Sequence, residues 1–127
     1  MRERVTVIYG VGAILWAVLV VLQVFFAGLG IFGATSFDTH KSFGNMLHGL
    51  SALLLVAAIV GPRTGRDIGM AAGLVVLLTV QIGLVSFRDD APGLAALHPV
   101  LALAAMGLAV HMGIHALRGR RVVAARA

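Results

Sequence analysis

The chain is 127 residues long, 60% hydrophobic and 12% charged, and has no cysteine. That composition lies far from soluble domains and allows a single domain; disulfides, thiolate clusters and covalently attached c-type haem are excluded. The net charge is +5, but the basic residues are divided among short segments flanking apolar runs, which argues against nucleic-acid binding.

Four apolar runs, at 5–30, 40–60, 68–87 and 98–117, are each long enough to cross a bilayer, which takes about 20 residues. A backbone in hydrocarbon must satisfy its own hydrogen bonds, and four spans are too few for a barrel, so the spans are predicted as helices. The first follows a charged start, "MRER". Its apolar run of roughly 25 residues exceeds the 7–15 of a signal peptide, so it is expected to remain as a helix. The connection "GATSFDT" at 33–39 offers Ser36, Asp38 and Thr39 as caps for the second helix. "GPRTGRD" at 61–67 predicts a tight turn in which Gly ends one helix and Pro cannot continue it. "RDDAPG" at 88–93 is the third connection, and His98-Pro99 predicts that the fourth helix begins about there.

Charge fixes the expected orientation. Arg2, Arg4, Arg63, Arg66, Arg118, Arg120, Arg121 and Arg126 share one side of a four-span chain. The other side carries Lys41 and Arg88 against Asp38, Asp89 and Asp90. The positive-inside rule places both termini in the cytoplasm of a cell whose inner (plasma) membrane the chain crosses.

A shift of 58 residues superposes Gln23 on Gln81 and His40 on His98, with Val18, Leu19, Gly49 and Leu50 also meeting their like. The pattern reads as a helical hairpin written twice, giving an all-α integral membrane four-helix bundle of two pseudo-symmetric hairpins. An axis along the membrane normal then sets His40 and His98 at equal depth, facing each other from helices two and four. Two imidazoles with no cysteine or carboxylate beside them make a poor closed zinc site, which takes four ligands. A haem brings four nitrogens of its own and needs two axial ligands, and helical bundles commonly hold cofactors in the core. Non-covalent haem b between His40 and His98 is therefore the expected cofactor, with Lys41 and Arg88 as partners for its propionates. The same histidines could instead take copper or zinc.

The other polar residues have their own readings. His48 lies about 80° around the helix from His40 and roughly 12 Å deeper; paired with Met106, it is the rival ligand to His40, and otherwise a core histidine bonded to Asn45, Ser51 or a glutamine. His111 and His115 share a helix face at i, i+4 and read as interfacial. Gln23 and Gln81 are expected to bond across helices, to each other or to His48 and Thr79, at a depth too great for a direct bond to His40 or His98. Phe25, Phe26, Phe32, Phe37 and Phe43 gather near the outer end, while Tyr9 and Trp16 suit packing of the inner half. No buried carboxylate, Gly-rich phosphate loop or Ser/His/Asp set is expected, nor a charged residue marking an ion path.

Several of these residues carry a resemblance. "THKSFG" at 39–44 resembles the Thr-His-Arg…Gly stretch that opens the second helix of a haem A synthase half. "VQIGLVS" at 80–86 and "LAALHPVLALAAM" at 94–106 are similar to that family's third and fourth helices. The resemblance covers one four-helix half and implies ligand roles for His40 and His98. The family's glutamate four residues before the helix-two histidine is Ser36 here, so the resemblance implies the haem site rather than the synthase reaction. The chain is also similar to small four-helix membrane proteins of actinobacteria. The expected role is electron transfer or haem handling in the lipid bilayer, as a homodimer or within a larger redox complex. The competing role is a non-catalytic accessory subunit.

Overall fold

The computed structural model describes the backbone of residues 2–61 and 64–124 and the side chains of 4–61 and 64–118. The side chains of Arg2, Arg63, Arg120, Arg121 and Arg126, counted above for orientation, lie outside the described residues, as does Pro62. The expected all-α architecture is present: α1 (Arg2–Ile31), α2 (Asp38–Val60), α3 (Gly65–Leu84), a 3-10 turn (Val85–Phe87), a short α4 (Pro92–Ala95) and α5 (Leu97–Ala124). Four helices are long and apolar enough to span a membrane. The chain is a four-helix membrane bundle.

Its connections follow local chemistry. Gly33 takes a positive φ of 73°, a conformation that costs other residues about 1–2 kcal/mol, and so lets α1 turn over. The position before α2 is Phe37, in helical geometry and without a side-chain cap. Of the three expected caps, Ser36 alone acts, accepting the Asp38 N–H at 3.3 Å and donating to Asp38 Oδ2 at 2.9 Å. Thr64 caps α3 through a reciprocal box with Asp67, which satisfies two otherwise orphaned donors. The break between α4 and α5 at Ala96 lies just before Pro99, whose missing N–H and ring exclude the helical bond to Ala95.

α1 packs on α2, α2 on α3, α3 on α5 and α5 on α1, so α2 and α5 stand on one diagonal and α1 and α3 on the other. We call the end with connections 32–37 and 85–96 the upper end, and that with the 61–64 turn the lower end. The buried core is built from Tyr9, Ala13, Trp16, Ala17 and Val20 of α1, Leu47, Ser51 and Ala58 of α2, Ala71, Leu74 and Leu78 of α3, and Ala105, Ala109, Met112 and Ala116 of α5. Its many alanines let helix backbones approach closely. Tyr9 and Trp16 belong to this core, and Trp16 Nε1 donates to the Leu47 carbonyl at 2.8 Å. The core stops partway up. None of residues 24–46 or 82–104 is buried. Outward faces carry exposed Leu15, Val18, Val21, Leu53, Val56 and Val76, the surface a bilayer requires.

Candidate functional site: a histidine pair at the upper end of the bundle

His40 is the third residue of α2 and His98 the second of α5, so each stands in a first helical turn at the upper end. The diagonal placement of these helices turns the two side chains toward each other. Their ring centroids are 6.2 Å apart, with the ring planes at 69°. Both are half-buried.

Each ring is held the same way. His40 Nδ1 lies 3.1 Å from the Gln23 carbonyl oxygen, and His98 Nδ1 lies 2.9 Å from the Gln81 carbonyl oxygen. A carbonyl only accepts, so each Nδ1 carries a proton, and in the neutral ring Nε2 is the nitrogen with the lone pair. A backbone carbonyl fixing the tautomer in this way is the usual arrangement around a histidine that ligates through its other nitrogen.

This corrects the expected depth of the glutamines. Gln23 lies eight residues below the end of α1, roughly 12 Å along the axis, yet bonds to a residue in the first turn of α2. The reason is that α1 rises past the start of α2 and the 32–37 connection comes back down its side. Gln23 also reaches α2 through its side chain: Nε2 donates to the His40 carbonyl at 2.8 Å and stands 3.4 Å from His40 Nε2. Gly44 makes room for it, since a Cβ there would lie 2.8 Å from Gln23 Nε2. Gln81 is buried, 7% exposed, and among the described residues its side chain makes no matching bond to α5. The amide oxygens Gln23 Oε1 and Gln81 Oε1 are both buried without a hydrogen-bond partner.

The remaining candidates divide. His48 Nε2 lies 3.1 Å from Thr79 Oγ1, whose own proton goes to the Val75 carbonyl. His48 therefore donates through Nε2 and ties α2 to α3 rather than joining the pair. Ser51 Oγ donates to the His48 backbone carbonyl at 2.7 Å. Lys41 and Arg88 are exposed and ion-paired with Asp38 at 3.5 Å and Asp89 at 3.4 Å. Phe37 stands edge-on to His40, ring centroids 6.2 Å apart, and Phe26 meets Phe43 at 5.1 Å. Phe26 and Phe43 line an open groove of about 530 Å³ with Asp38, Thr39, Ser42 and Met46.

At the lower end His111 and His115 stack nearly parallel, 6.2 Å apart, against the start of α3. His111 Nε2 is 3.4 Å from an Arg66 nitrogen and His115 Nε2 is 3.8 Å from Asp67 Oδ1. Asp67 is 4% exposed, which overturns the expectation that no carboxylate is buried. Its Oδ2 accepts from the Thr64 backbone and hydroxyl at 3.0 and 2.8 Å. The Thr-x-x-Asp spacing before an apolar run was the available signal. Among the described residues, no group of three or more His, Asp and Glu side chains is placed to hold a metal ion.

The fold and the site together define a small multi-pass helical membrane protein with an anchored histidine pair inside one end. Residues 23–88 match the model of a family described as a family of unknown function (DUF6220), and the chain belongs to that family. The matched segment holds Gln23, His40 and Gln81 and stops short of His98. No curated protein and no solved structure matches the chain.

Proposed function

We propose that the protein binds one b-type haem in the membrane, which His40 and His98 would hold, and serves one-electron transfer or haem handling. The observation that carries this reading is the paired geometry of the imidazoles. Each has its Nδ1 bonded to a glutamine carbonyl, which leaves Nε2 as the nitrogen to ligate; at His40 the Gln23 amide, 3.4 Å from Nε2, would turn aside for a metal. Metal–nitrogen bonds of about 2 Å, with roughly 1 Å from nitrogen to ring centre, put two imidazoles on one metal about 6 Å apart, against the 6.2 Å found. Two donors match a cofactor that supplies its remaining ligands itself. The lack of any buried side chain among residues 24–46 and 82–104 supports the same reading.

In this arrangement the chain fixes both rings before the cofactor arrives, so little side-chain order remains to be imposed on binding. A haem held by these two residues would supply one-electron redox chemistry. Lys41 and Arg88 stand on the upper side and would pair with propionates. Their present ion pairs are exposed and hold little energy against such an exchange. The charge asymmetry supports an upper end outside the plasma membrane and both termini in the cytoplasm. Electron transfer across the bilayer then requires a second redox centre, in a partner subunit or a second copy. The resemblance to a haem A synthase half supports the same ligand pair.

Purified protein in mild detergent is expected to show a Soret band that sharpens with distinct α and β bands on reduction. Full-length protein that stays colourless after haem is supplied would refute the reading and favour an accessory subunit. Copper or zinc at the same histidines would be found by elemental analysis.

A further inference from the structure

The repeat that pairs the histidines does not hold them equally. Gln23 grips His40 twice: its backbone oxygen takes the Nδ1 proton at 3.1 Å, and its amide donates to the His40 carbonyl at 2.8 Å. That second bond exists because residue 44 is glycine; a Cβ would stand 2.8 Å from the amide nitrogen. In the other half the residue four after the histidine is Ala102, and among the described residues His98 has the single bond to the Gln81 carbonyl. His98 also stands in the first turn of a helix that is separated from α4 by a break at Ala96. Phe37 flanks His40 edge-on.

We infer that His40 is the anchoring ligand and His98 the releasable one, so that the site is built to take up and pass on a metalloporphyrin from the α5 side. This rests on the haem reading above and selects haem handling over fixed electron transfer. Its physical basis is that a ligand bond is as durable as the scaffold behind the ligand. A residue whose ring and backbone carbonyl are both bonded to α1 would hold its place, whereas one bonded through its ring alone would be carried away with the first turn of α5.

The test is haem titration of the full chain in mild detergent, followed by the Soret band and its spin-state signature. His98→Ala is expected to retain haem within about tenfold of wild type, with a spectrum changed to that of a single protein ligand. His40→Ala is expected to lose about a hundredfold or more, and Gly44→Ala about tenfold, the equivalent of one hydrogen bond near 1.4 kcal/mol. Gln23→Met, which removes the same bond without adding a methyl group to α2, should show the same loss and stands in for Gly44→Ala should that variant fold poorly. Equal losses in the two histidine variants, or unchanged affinity in both Gly44→Ala and Gln23→Met, would overturn the inequality alone. A wild type that takes up no haem overturns the parent reading and this one with it.

Discussion

The closest approach in the bundle gives a prediction with a definite sign. Gly113 of α5 faces α1 so tightly that a Cβ built on it would lie 2.6 Å from Ile14 and 2.8 Å from the Gly10 carbonyl oxygen. Carbon atoms prefer about 3.5–4.0 Å, so Gly113→Ala is short of space by roughly 1 Å. Ile14 can yield only in part, because a β-branched residue in a helix has one favoured rotamer. The Gly10 oxygen belongs to the backbone and moves only with α1. The helices must therefore part along a seam that includes Ala13, Ala17, Ala109, Met112 and Ala116. Overpacking costs about 1–3 kcal/mol, and a clash with backbone that cannot move aside puts this site in the upper part of that range, about 2–3 kcal/mol, offset by about 1 kcal/mol of helix propensity gained over glycine. The net loss is about 1–2 kcal/mol, or a fall in Tm of about 4–8 °C at roughly 4 °C per kcal/mol. Trp16, the single tryptophan and 2% exposed, reports melting by its fluorescence in detergent. Gly107→Ala is the control, since a Cβ there meets nothing within 4 Å, and it should melt at or slightly above the wild-type temperature. A Gly113→Ala protein as stable as wild type, or a Gly107→Ala protein that loses as much, would show that the α1–α5 contact is not what limits stability.

Two further outcomes follow from other parts of the bundle. Thr64→Ala removes the box at the start of α3 and one hydroxyl donor from the buried Asp67 carboxylate; it should cost about 1–2 kcal/mol, while Thr64→Ser melts close to wild type. Gln81→Met leaves the backbone carbonyl that holds His98 and deletes an acceptor with no partner. The haem-free protein should therefore be as stable as wild type or more so, and a drop of more than about 1 kcal/mol would mean that the amide is satisfied after all.

The architecture was legible because a bilayer leaves the backbone few solutions: apolar length, turn residues and the flanking charges fix helix number and order. The histidine pair was legible through the repeat, since one offset aligned both Gln23 with Gln81 and His40 with His98. Depth was not. How far α1 rises beyond the start of α2 is set by how the 32–37 connection folds back, and no periodicity in the helices encodes that. Hence the bonds from the glutamines to the histidines were placed out of reach. The role of Gly44 was hidden for a related reason, because it depends on a side chain arriving from another helix. Asp67 differs: its spacing from Thr64 was visible, but its burial depends on the facing histidine turn of α5. His48 was read as either ligand or core residue, and the proton count at Thr79 assigns it to helix pairing.

The uneven filling of the bundle has a mechanical consequence. With α1 and α5 nearly touching at Gly10 and Gly113, and little solid interior above Val20 and Gln81, the helices resemble tongs riveted near one tip. A tilt of about 5° about that rivet, carried over roughly 20 Å of helix, spreads the far tips by about 2 Å without disturbing the alanine seam. The hydrogen bonds from the histidines to the glutamine carbonyls then set how far the tips can part, and the pivot lies far from them.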